Sequence, residues 1–133
     1  MEFVVNRENL LPALGRVIGV VERRQTLPIL GNLLLRVHGE RVEIIGTDLE
    51  VEVRTSCEAR IQEEGETTLP ARKLVDICRN LADNADLKFR LAGERCTVTS
   101  GRGRFALGVL PAADFPLPSL PLSIDSTAFW VPD

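Results

Sequence analysis

The apolar positions of this chain change period several times, and the changes mark out its elements. Glu2 to Val5 is a short apolar run that predicts a strand. From Leu10 the step lengthens: Leu10, Leu11, Leu14, Val17, Ile18 and Val21 recur every three or four residues, the stripe of an amphipathic helix. Asn6 suits the N-cap, and Glu8 lies in the first turn, where the helix dipole favours an anion. Pro12 is tolerable near the first turns, and Arg7, Arg16 and Arg23 lie off the stripe. Leu33 to Thr47 then predicts two strands around a Gly39-Glu40 turn, where glycine takes the positive φ that hairpin turns demand. Leu49, Val51, Val53, Thr55, Cys57, Ala59 and Ile61 alternate with polar residues, which predicts one long strand with a buried and a wet face in a large curved sheet. Thr67 to Leu69 is a short strand. Pro70 opens a second helix, Ala71 to Leu81, with its stripe at Leu74, Ile77, Cys78 and Leu81. A hairpin over 87–101 and a strand over 102–110 follow. Pro111, Pro116, Pro118 and Pro121 then predict an extended linker, and Thr127 to Val131 a further strand.

Part of this pattern occurs twice. Gly-Glu-Arg stands at 39–41 and again at 93–95, an offset of 54 positions, 39 to 93. At that offset Arg36 falls on Arg90, and Leu33, Val37 and Ile44 fall on Leu87, Leu91 and Val98. A helix precedes each copy, so the chain reads as one helix-plus-strands unit used twice, with the two helices side by side on one sheet face. The class is α+β.

Composition narrows the chemistry. Among 133 residues, 44% are hydrophobic, and no apolar run is long enough to span a bilayer. The start carries no secretory signal pattern, which predicts a cytoplasmic protein. Cys57, Cys78 and Cys96 are odd in number and widely spaced, as expected of buried apolar thiols and not of a disulfide framework or a metal site. One histidine, His38, leaves no material for a histidine triad or a multi-histidine zinc site. The net charge of −3 does not announce a nucleic-acid binder, yet fourteen of the sixteen basic residues are Arg, which favours planar pairing with carboxylate or phosphate.

Three constellations carry candidate chemistry. Asp48, Glu50 and Glu52 would share a strand face and could hold a divalent cation for a small nuclease, or form a solvated face. Gly101-Arg102-Gly103-Arg104 resembles a phosphate cradle but lacks the Lys-Ser/Thr of a P-loop. The outer faces of the two helices would present Arg7, Arg16, Arg23, Arg72, Lys73 and Arg79 together, a basic surface able to hold phosphates without reading bases. A free-standing RNA-binding module using that surface is poorly equipped, since the chain has no Tyr and few other aromatics to stack bases.

Several ungapped blocks, in order, make the chain resemble one family. They are Thr26-Leu27-Pro28-Ile29-Leu30-Gly31-Asn32-Leu33, Gly46-Thr47-Asp48-Leu49-Glu50, Pro70-Ala71-Arg72-Lys73, Asp76-Ile77-Cys78-Arg79, Ser100-Gly101-Arg102 and Leu110-Pro111-Ala112-Ala113-Asp114-Phe115-Pro116. Together they resemble the N-terminal domain of the bacterial β sliding clamp, the processivity subunit of DNA polymerase III. The resemblance implies a clamp-fold domain over residues 1–118, with 119–133 as the linker and first strand of a second domain, so that the chain is a fragment. It implies a non-catalytic, cofactor-free subunit, three such domains long, that closes head to tail with a second subunit into a ring. Helices would line the hole around double-stranded DNA of any sequence, and sheets would form the outside. By position, Arg24 and Arg72 match the family's DNA contacts. Lys73, Arg95, Arg102, Arg104, Phe105 and Leu107 match the edge that meets the partner subunit. The pocket for polymerase and clamp-loader peptides belongs to later domains absent from this chain.

Overall fold

The computed structural model describes residues 1–21 and 27–116. Strand β1 (Glu2–Asn6) runs directly into helix α1 (Arg7–Val17). Asn6 caps it as expected: its side-chain oxygen accepts from the Glu8 N–H at 2.8 Å. The helix buries Leu10, Ala13, Leu14 and Val17. It ends sooner than the stripe suggests, because Ile18–Val20 tightens into a 3-10 turn, although Val21 is still buried. The β-branched residues and Gly19 there are weak helix formers.

Next come β2 (Asn32–His38), β3 (Arg41–Thr47), β4 (Glu52–Glu58), β5 (Arg60–Glu63) and β6 (Gly65–Pro70). Helix α2 (Ala71–Arg79), β7 (Asp86–Ala92), β8 (Arg95–Ser100) and β9 (Gly103–Gly108) complete the domain. Both Gly-Glu turns form, with φ of +66° at Gly39 and +62° at Gly93, values that a side chain would make costly. The duplication is therefore visible as β1-α1-β2-β3-β4 followed by β6-α2-β7-β8-β9.

The strands form two antiparallel sheets, β5-β1-β7-β8-β9 and β4-β3-β2-β6. Each copy gives its first strand to the other. β1 pairs with β7, setting Phe3 opposite Phe89, and β6 pairs with β2, setting Leu69 opposite Leu33. The two phenyl rings stack with centroids 4.7 Å apart. This exchange interlocks the halves, and one continuous core runs from Phe3 through Leu14, Leu35, Leu74 and Val98. Thr68, fully buried, joins the sheets. Its hydroxyl accepts from the Asn32 amide at 2.9 Å and donates to the Leu110 carbonyl at 2.7 Å, so no polar atom of this link is left unpaired.

The long strand expected over 49–61 is two strands. The chain crosses from one sheet to the other at Ala59, whose N–H bonds to the Glu40 carbonyl at 3.0 Å. Its first residues are a tight loop in which Leu49 has a φ of +84°. Leu49 and Val51, expected inside, are 58% and 52% exposed. All three cysteines are buried, and burial pushes each thiol up to about 11. No described helix is long and apolar enough to cross a membrane. The linker expected over 112–123 is not extended where it is described, since Ala112–Asp114 is a 3-10 turn and Phe115 is buried on the sheet; its remainder and the strand expected over 127–131 lie outside the described residues.

Candidate nucleic-acid interface and edge strand

The two helices pack against each other, and one arginine clasps them. Arg7, at the first turn of α1, donates from Nε to the Cys78 carbonyl at 2.7 Å, in the last turn of α2. Its Nη1 meets Glu8 at 2.8 Å and Asp83 at 3.4 Å. Glu8 in turn accepts from the Asn84 N–H at 3.0 Å. That bond, and then Arg7, hold the Glu8 carboxyl below its ordinary range. Arg7 therefore adds a short charged donor to a carbonyl at a helix C-terminus that otherwise accepts from the Leu81 N–H at 3.3 Å, and the dipole there also favours a cation. This corrects its expected place on a phosphate-facing surface. Arg16 is exposed but leans on β4, its Nη1 donating to the Thr55 hydroxyl at 3.0 Å.

Helix α2 turns Ala71, Leu74, Val75, Ile77 and Cys78 inward. Arg72, Lys73 and Arg79 are exposed on its other side, and none makes an ion pair among the described residues. Asp76 lies one turn from Arg72 yet is not within pairing distance. Arg23 and Arg24 fall within residues 22–26, outside the described part.

On the outer face of the four-stranded sheet Arg36 and Arg54 are paired with carboxylates, while Arg41 donates to the Ser56 hydroxyl at 3.2 and 2.9 Å. Arg36 reaches Glu43 at 3.7 Å and Glu66 at 3.4 Å. Arg54 reaches Glu43 at 3.5 Å and also binds Glu52. Glu52, Arg54, Glu43, Arg36 and Glu66 thus form a ladder of alternating sign across all four strands. The register Arg36 opposite Glu43, readable once the hairpin is folded about Gly39-Glu40, is the sequence signal for it.

Asp48, Glu50 and Glu52 do not share a strand face. Asp48 sits in the loop, where its carboxylate accepts from the N–H groups of Glu50 at 2.9 Å and Val51 at 2.8 Å. Those bonds hold its pKa below the usual carboxylate value. The strand geometry that would have grouped three carboxylates begins only at Glu52.

Strand β9 is an edge, paired with β8 alone. Ser100 opposite Gly103 closes the two-residue loop, and bonded pairs alternate from there. The N–H and C=O groups of Arg104 and Ala106 therefore face away from β8. At Leu110 that outward side meets Thr68 of β6; at Arg104 no described strand pairs with it. Arg95, Arg102 and Arg104 are exposed. Phe105 is half-buried, and Leu107 is a core residue opposite Cys96 in a bonded pair, so it packs beneath this edge and turns neither side chain nor backbone outward.

A family described as DNA polymerase III beta subunit, N-terminal domain, matches residues 1–121. The chain is similar to the beta sliding clamp of Escherichia coli K12, 52% identical over 117 residues that cover 87% of this chain and 32% of that protein. It is also similar to the beta sliding clamp of Pseudomonas aeruginosa, 50% identical over 118 residues, again 87% and 32%. Among solved structures, the DNA polymerase sliding clamp of Caulobacter crescentus superposes with a TM-score of 0.87 at 44% identity, covering 91% of this chain and 33% of that one. The chain thus spans about a third of the length of the relatives it matches. On the match across residues 1–121 and the shared interlocked fold, this chain belongs to the DNA polymerase III beta subunit family, whose N-terminal domain it carries.

Proposed function

We propose that this chain is the first domain of a sliding clamp, a non-catalytic cytoplasmic subunit that closes head to tail with a second copy around duplex DNA and tethers the replicative polymerase. The observation that carries this reading is the contrast in charge pairing: Arg72, Lys73 and Arg79 on α2 are uncompensated among the described residues, whereas Arg36 and Arg54, on the four-stranded sheet's outer face, are neutralised by carboxylates. Sliding requires contacts that ignore sequence and break easily, and exposed cations toward phosphates supply such contacts. Arg72 is the DNA contact on α2, and Arg24 is the second by its position after α1.

The open side of β9 is the closing edge. Arg95, Arg102 and Arg104 supply cations, Phe105 a half-buried apolar contact, Arg104 and Ala106 the outward backbone groups, Leu107 the packing beneath them, and Lys73 a charge from the neighbouring helix. A heterologous interface needs a different, complementary partner surface, here an acidic one. Polymerase and clamp-loader peptides are received by later domains, and residues 119–133 lead into the second.

The test is retention of the complete protein, after loading, on circular and on linearised plasmid. A topological clamp stays on the circle at salt that strips ordinary phosphate binders and leaves the linear form by its ends. Equal loss from both forms would rule out encirclement. The 133-residue chain alone should bind duplex only weakly and with strong salt dependence.

A further inference from the structure

Among the described residues, three large hydrophobic side chains are exposed, and two of them, Leu49 and Val51, stand in one four-residue loop between β3 and β4. The loop is not a loose tip. The Thr47 hydroxyl donates to the Val51 carbonyl and accepts from the Leu49 N–H, both at 3.0 Å. Asp48 binds two further N–H groups from the other side. These bonds hold Leu49 at a φ of +84°, a region bulky side chains avoid. A strained backbone that is fully bonded and aims two apolar side chains into water is poorly explained by the stability of this domain.

Two nearby features show what covers it. β4 is the edge of its sheet, paired with β3 alone, and Glu52 at its start has one carboxylate oxygen buried with no donor among the described residues. The last described residues also lie on this sheet. Phe115 is buried against Leu34 and Ile45, and Ile45 is two strand residues, about 7 Å, from Thr47. The last described residues therefore lie on the same sheet face near the loop, and the relatives continue for about twice this length again.

We propose that the Asp48–Val51 loop is a preformed apolar knob that seats against the next domain of the same polypeptide, with Leu49 and Val51 as the buried contacts. The knob sets the angle between the first two domains and so the curvature of the chain. This inference rests on family membership and not on DNA binding, so its test is independent of the plasmid experiment.

The test uses the complete protein carrying Leu49→Cys, with Glu40→Cys in the exposed Gly39-Glu40 turn as reference. The three thiols of this domain are buried and raised to about 11, so they stay silent to a maleimide near neutral pH, and the unsubstituted complete protein gives the background from the rest. Leu49→Cys should react at least roughly tenfold more slowly than Glu40→Cys, as protected sites do. The ratio should persist on dilution to separated subunits. Reaction as fast as the reference overturns the proposal. Protection lost on dilution also overturns it, because the cover would then be the partner subunit. Leu49→Gly, which relieves the positive φ while removing the knob, guards against misfolding. It should leave unfolding of the first domain unchanged and uncouple it from the rest, giving two transitions in a thermal scan. A single unchanged transition counts against the proposal.

Discussion

The outer face of the four-stranded sheet and the exposed side of α2 both carry arginines and carboxylates, and only one is suited to a polyanion. On the sheet, Arg36 and Arg54 are interleaved with Glu43, Glu52 and Glu66. A phosphate approaching either arginine meets a carboxylate within a few ångströms. On α2, Arg72, Lys73 and Arg79 have no such partner among the described residues. The lesson is that the number of arginines says little, and their local compensation says most. The ladder adds little stability, since exposed pairs contribute ~0–1 kcal/mol each. Its consequence is a quiet field on one face, which leaves the net charge of −3 compatible with a basic surface on the other.

The largest expected effect extends the comparison to the β9 edge. In the complete protein, Arg102→Glu with Arg104→Glu should weaken subunit closure by about 3 kcal/mol, roughly a hundredfold, because like charges across an interface cost several kcal/mol. Arg36→Glu with Arg54→Glu should leave closure intact. Sedimentation at low concentration reads both, and a ring unmoved by the first pair would remove β9 from the interface.

Arg7 marks the boundary of the comparison, a helix arginine that behaves like a structural one. Arg7→Ala removes the charged donor from the Cys78 carbonyl, leaving it the longer Leu81 N–H bond, and should cost about 1.5–3 kcal/mol. The dependence of DNA binding on salt should not change. Denaturant melts and a salt titration together decide it; a reduced salt slope would return Arg7 to the phosphate-contacting set.

Smaller and more specific is the pair Arg72→Ala and Arg24→Ala. Each should reduce the slope of log affinity against log salt by about one, regardless of DNA sequence. Stability should move by no more than about 0.5 kcal/mol. Arg36→Ala should leave the slope unaltered, and equal slopes for Arg36→Ala and Arg72→Ala would break the contrast between the faces.

The smallest effect is at acid pH. The Glu8 carboxyl is depressed in the folded protein, so its stabilisation is present above its unfolded value of 4.5 and is lost as pH falls through the folded value. Glu8→Gln should therefore be less stable than the parent at neutral pH, and the two should converge below about pH 4. Melting curves across that range check it; a constant gap would mean that the charge of Glu8 is not what holds the 83–85 turn to α1.

Much of the fold was legible because its signals are local. Asn6, the Leu10–Val17 stripe, the two Gly-Glu turns and the buried cysteines each depend on residues within a few positions. The reading failed where a local pattern has two tertiary solutions. Alternation over 49–61 is the same whether the strand runs on or crosses between sheets at Ala59, and it continues through a loop that exposes Leu49 and Val51. Phe105 and Leu107 share a face by alternation, but only the folded sheet makes that face part of the core.

The sequence by itself determined the α+β class, the repeat of one unit, the helix stripes and the hairpin registers, since periodicity and turn chemistry act over one or two turns of chain. The tertiary structure alone decided that the copies exchange their first strands and that Arg7 binds a carbonyl 71 positions away. It also decided which arginines on each face are compensated. Those outcomes depend on which distant groups meet at hydrogen-bonding distance. Period and propensity are indifferent to that choice, and a packed core is not.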